Sequence, residues 1–182
     1  MERILGGRTH WPIGARCQSE SRARTTIAHG RKEQEAAMGA PKHTSPKEVL
    51  DRLHHAMNRR DIEAFLACFD PDYRSEQPVH PNRGFAGREQ VEKNWAAMFS
   101  GIPDFHAELV AATADDDAVW AEWHWSGSRA DEPPLDMRGV TLFGVEHGRI
   151  AWARLYMEEV EETGEGIDET VRRLAGPTSR DP

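Results

Sequence analysis

Gly148-Arg-Ile-Ala-Trp-Ala-Arg-Leu-Tyr-Met-Glu158 follows a turn at Glu146-His147-Gly148 and alternates with period two, the mark of a β-strand. Ala151, Ala153, Leu155 and Met157 fall on one face, and Trp152, Arg154, Tyr156 and Glu158 on the other. An aromatic, a cation, a phenol and a carboxylate in line suit a cavity wall, which needs apolar surface with a few polar contacts. They also suit an outer sheet face carrying an Arg–Glu pair. The strand by itself leaves both readings open.

Upstream, the same period recurs. Phe105 to Thr113 reads as a strand, Asp115-Asp-Asp117 as a polar turn, and Ala118 to Ser128 as a second strand. That second strand puts Val119, Ala121, Trp123 and Trp125 on one face and Trp120, Glu122 and His124 on the other. A loop with Gly127 and Pro133-Pro134 leads into a third strand, Leu135 to Glu146, before the last one.

Before residue 104 the period is helical. Ser45-Pro46-Lys47-Glu48 is a capping box with proline at the first helical position, and Val49, Leu50, Leu53, Ala56 and Met57 form one stripe behind it. Asp61 caps a second helix with Ile62, Phe65, Leu66 and Phe69 on its buried side, ended by Asp70-Pro71. After a short extended piece, Tyr73 to Gln77, a third helix runs from Arg88 to Ser100 with Val91, Trp95, Met98 and Phe99 as its stripe. Three helices followed by four antiparallel strands is an α+β layout, whose sheet curls over the helices as a cone with a pocket at one end.

Residues 1–43 read as a disordered leader, 44–162 as the folded domain, and 163–182 as a tail with a short helix near Asp168 to Leu174. The leader is Arg-rich, with seven Lys/Arg against four acids in its first 37 residues, and lacks the apolar core of a secretory signal. The whole chain of 182 residues is acidic, with net charge −8, which argues against a nucleic-acid partner. No apolar run is long enough to span a bilayer. Two cysteines, Cys17 and Cys68, build no disulfide framework and fit a cytoplasmic setting. Nine histidines raise a metal site, but none of them has ligand spacing, and no cofactor motif is present.

Gly87-Arg-Glu89 opening a helix, Trp95 and Phe99 inside it, Pro103-Asp-Phe105 entering a strand, Trp125-Ser-Gly127 ending one, and Gly148-Arg-Ile150 opening the last together resemble the SnoaL-like family. That family has the nuclear transport factor 2-like fold, shared with ketosteroid isomerases and limonene epoxide hydrolases. The resemblance covers roughly residues 45 to 160 and implies a cone-shaped antiparallel sheet, a homodimer and cofactor-free chemistry. It places the catalytic aspartate of the cyclases at Glu158. The hydrolase positions fall at Glu122, His124, Tyr73 and Ser75, where the residue types differ at Glu122, His124 and Ser75, so the hydrolase triad itself is absent.

The expected site therefore has Glu158, His124 and Tyr73 as catalytic groups. Tyr156, Arg154, Trp152, Glu122, Trp120, Ser75 and Trp95 form the walls around a small-molecule ligand. Glu158 would act as a base if apolar neighbours raised its pKa, and His124 is the side chain suited to titrate near neutrality. A surface glutamate and a half-buried histidine are the plain alternatives. Two function classes follow: an isomerase, cyclase or hydrolase on a small polyketide- or steroid-like substrate, or a non-catalytic ligand-binding or dimeric accessory domain.

Overall fold

Ser45 opens the first helix as its sequence requires. The structure, a computed structural model, describes residues 44–176, so the leader expected over residues 1–43 lies outside them. Ser45 Oγ accepts the Glu48 amide at 3.3 Å while Glu48 Oε2 takes the Ser45 amide at 2.8 Å, starting α1 (Pro46–Arg59). Arg60 turns left-handed to end it, and Asp61 caps α2 (Ile62–Leu66) through the Ala64 amide. The helix stops earlier than Asp70-Pro71 predicts. Phe69 already belongs to β1 (Phe69–Glu76), within which Asp70, the residue before Pro71, is held out of the helical region by the proline ring. The extended piece expected from Tyr73 is thus the second half of an eight-residue strand.

A 3₁₀ turn (Pro81–Arg83) leads to β2 (Phe85–Ala86) and then α3 (Arg88–Gly101). The remaining strands are β3 (His106–Asp115), β4 (Ala118–Gly127), β5 (Leu135–Glu146) and β6 (Arg149–Glu159), followed by α4 (Ile167–Ala175). They form one six-stranded sheet in the order β2-β1-β6-β5-β4-β3. Every pairing is antiparallel except β1 with β6, which is parallel. The two extra strands and the parallel pair come from the segment before α3, where the sequence shows only one short extended stretch.

His147 and Gly148 both have positive φ, 51° and 74°, the geometry of a tight hairpin turn whose twist matches its strands. Arg52 of α1 donates to the Gly148 carbonyl at 2.8 Å and ties that turn to the helix layer. Register shifts in β3 and between Gly144 and Val145 bend the sheet around the helices. The edge of β3 is closed by α1. Asn58 Oδ1 accepts the Ala107 amide at 2.8 Å, and Asn58 Nδ2 and His54 Nε2 both donate to the Ala107 carbonyl at 2.9 Å.

Cross-strand register fixes which face is interior. Val119 sits opposite Phe143, which sits opposite Ala153; Ala121, Thr141 and Leu155 form the next row. These rows meet Val49, Leu50, Leu53, Ala56 and Met57 of α1 in the core. The apolar set of β4 and β6 is therefore the core. Among the described residues no helix is long and apolar enough to cross a membrane.

Candidate functional site

The concave face of the sheet and the three helices enclose a cavity of about 290 Å³, at the small end for a ligand pocket. Leu53 and Met57 of α1 and Phe65 of α2 form one wall. Trp95 and Met98 of α3 form a second, and Trp123, Trp125, Phe143 and Leu155 of the sheet a third. Trp95 stacks edge-on against Trp125 at 5.5 Å and tilts against Phe65 at 4.4 Å, so aromatic packing holds this wall rigid.

Few polar groups interrupt the lining. Tyr73 and Ser75, two residues apart on β1, both point inward and are buried, with 4% of each exposed. Burial pushes the Tyr73 phenol up to about 12, opposed in part by a hydrogen bond from the Ser75 hydroxyl. Tyr73 is therefore a neutral hydroxyl at any physiological pH. Thr141, fully buried on β5, accepts the Trp123 indole N–H at 2.8 Å. Gln77, Arg83 and Asn94 complete the polar lining. Among the described residues, no carboxylate, imidazole or thiol lines the cavity.

Of the site expected from sequence, Tyr73, Ser75 and Trp95 come together here. Trp120, Glu122, His124, Trp152, Arg154, Tyr156 and Glu158 do not: they stand on the opposite, outer face of the sheet. This corrects the cavity-wall placement of that set. Arg154 Nε pairs with Glu76 at 2.8 Å, its guanidinium carbon 5.6 Å from the centre of the Trp152 ring. The Trp152 indole in turn covers Gly144, where a Cβ would collide with it. Trp152 is shielded by this stacking on the outside, not by a pocket.

Glu158 Oε1 meets His80 Nε2 at 2.8 Å, and both side chains are at least one-third exposed. His124 sits between Asp136, 2.9 Å from Nε2, and Glu108, 3.5 Å from Nδ1. Tyr156, Trp120 and Glu122 are exposed. Ionised heads on this face keep their hydration, which a buried face would remove at a cost of several kcal/mol per ion.

Sequence reasoning missed Thr141, Gln77, Arg83 and Asn94. Thr141 carried a signal, being a polar residue in phase with Phe143 and Val145 on an otherwise apolar face. The other three reach the mouth through the packing of a loop on α3, and no local periodicity marks that.

The sequence model of the SnoaL-like domain matches residues 50–153, more than half of the chain. The chain belongs to the SnoaL-like family. Its solved structural neighbours carry the same nuclear transport factor 2-like α+β cone. An LEH-like epoxide hydrolase of M. tuberculosis aligns with TM-score 0.56 at 19% identity, over 65% of this chain and 86% of that one. A candidate SnoaL-like polyketide cyclase of Jannaschia sp. CCS1 aligns with TM-score 0.55 at 20% identity, over 77% and 98%. A protein of Catenulispora acidiphila with a ketosteroid isomerase-like fold, solved with trimethylamine, aligns with TM-score 0.53 at 21% identity, over 61% and 85%. Compared with the curated proteins, the chain finds no match. At these identities the neighbours establish the SnoaL-like fold and leave the chemistry to the cavity.

Proposed function

We propose that this SnoaL-like cone binds a small, largely apolar molecule and orients it by one oxygen atom held against Tyr73. The observation that carries the reading is the Tyr73–Ser75 hydroxyl pair, buried in a cavity whose walls are otherwise aromatic and aliphatic. A buried phenol keeps its proton and offers a fixed donor, for which a ligand carbonyl or hydroxyl oxygen is the matching acceptor. The cytoplasm is the compartment proposed, in keeping with the buried free thiol of Cys68.

A catalytic reading is favoured by the same pair. Tyr73 donating to a ligand carbonyl would stabilise an oxyanion, as an isomerase or cyclase on a polyketide- or steroid-like substrate requires. The base would then have to come from the substrate or a bound water, because Glu158 lies across the sheet from the cavity.

Binding of neutral cyclic ketones and of the matching hydrocarbons, followed by quenching of Trp123 and Trp125 fluorescence, tests the proposal. Tyr73→Phe should weaken ketones about tenfold, the worth of one buried hydrogen bond, and leave hydrocarbons unchanged. Glu158→Gln should change neither. Equal loss for both ligand classes in Tyr73→Phe, or loss of binding in Glu158→Gln, refutes it.

A further inference from the structure

One side chain lining the cavity is ionised. Arg83 sits on the 3₁₀ turn between β1 and β2, exposed at the mouth. Its guanidinium has no ion pair or hydrogen bond among the described residues. Two carboxylates of the neighbouring strands are engaged elsewhere, Glu76 of β1 by Arg154 at 2.8 Å and Glu158 of β6 by His80 at 2.8 Å. Two neutral amides share the lining with it. Asn94 has its carbonyl oxygen occupied by Gln90 Nε2 at 2.7 Å, which leaves its NH₂ as the free end, and Gln77 contributes the second amide.

We infer that the ligand is a largely apolar monocarboxylate, its body and the oxygen that meets Tyr73 in the cavity and its carboxylate on Arg83 at the mouth. The inference rests on the cavity being a binding site and adds the charge class of what it binds. The arrangement divides the ligand as its solvation demands. A carboxylate drawn into the aromatic interior would lose its hydration without a counter-charge, whereas at the mouth it stays partly hydrated and meets a planar fork of donors. The chain as a whole carries −8 and repels anions, so a preference for a carboxylate has to come from this local group.

The test compares 3-phenylpropionate with its uncharged isostere 3-phenylpropionamide by calorimetry on the full chain. The wild type should bind the carboxylate about three- to tenfold more tightly, the range for an ion pair at a half-open site, and the ratio should shrink in high salt. Arg83→Gln should bring the ratio to one without changing the amide's affinity, and Arg83→Lys should restore part of it. Leu155→Trp, which fills the cavity, should abolish binding of both probes. Equal affinity for the two probes in the wild type overturns the inference while the binding site stands. A preference that survives Arg83→Gln, or carboxylate binding that survives Leu155→Trp, overturns it too. If neither probe binds the wild type, both the inference and the binding reading fall.

Discussion

Asn58→Ala removes the device that joins α1 to the edge of the sheet, and its cost follows from the partners left behind. Asn58 donates to the Ala107 carbonyl and accepts the Ala107 amide, at 2.9 and 2.8 Å. Ala107 is fully buried. Once Asn58 is truncated, the carbonyl keeps His54 Nε2 at 2.9 Å, but the amide keeps nothing. A buried N–H left without an acceptor costs about 1–3 kcal/mol, and the second lost bond adds about 1. The expected loss is therefore about 2–4 kcal/mol, a large part of the 5–15 kcal/mol that a domain possesses.

Urea unfolding of the variant should show a lower midpoint at an unchanged slope, since the surface exposed on unfolding stays the same. Asn58→Asp keeps the acceptor for the amide and should fall between wild type and alanine. Arg59→Ala, one residue on and solvent-facing, should lie within about 0.5 kcal/mol of wild type. Because α1 also presents Leu53 and Met57 to the cavity, ligand affinity should fall together with stability in Asn58→Ala. An Asn58→Ala variant as stable as Arg59→Ala would mean that water satisfies the Ala107 amide, and the reasoning would fail.

Three further outcomes are expected. Gly144→Val should displace the Trp152 indole from the outer face and lower the melting temperature, whereas Gly166→Ala, with open space around its Cα, should not; equal melting temperatures would refute the stacking role. Tyr73 has a folded pKa of about 12 against about 10 unfolded, so its contribution is fully present below pH 10 and is lost as pH rises through 12. The wild type should therefore lose about 2–3 kcal/mol more than Tyr73→Phe between pH 10 and 12, measured by urea unfolding at each pH; parallel losses would count against burial of the phenol. The homodimer is a proposal for the outer face, where Tyr156 lies opposite Val140 and Trp120 is 47% exposed. Light scattering should show Tyr156→Glu shifting dimer to monomer, and a wild type that is monomeric at micromolar concentration would remove it.

The helices and the four long strands were legible because each carries its own period and its own punctuation. The Ser45 capping box starts α1, Gly148 opens β6, and Leu135–Glu146 is a strand with the limits its sequence suggests. Phe69–Glu76 was not legible as one strand, because Pro71 breaks its pattern and its partner, β6, lies far along the chain. Of the site, Tyr73, Ser75 and Trp95 were legible. Arg83 and Asn94 were not, since a pocket mouth is made by packing between distant segments.

The face of β6 that borders the cavity was ambiguous from one strand and decidable from three. Trp152 and Tyr156 suggest an interior, but they share their face with Arg154 and Glu158, and in register with Glu122, His124 and Arg138. The opposite face, through Val119, Trp123, Phe143, Ala153 and Met157, carries no charge before Glu159 at the end of β6. Leaving a large aromatic half-exposed forfeits about 1–3 kcal/mol of burial, whereas burying an unpaired ion costs several. With at least four ionised groups against three aromatics, the charges decide. Trp152 then recovers part of its loss by covering Gly144 and stacking with Arg154, an arrangement available to an indole on the outside of a sheet.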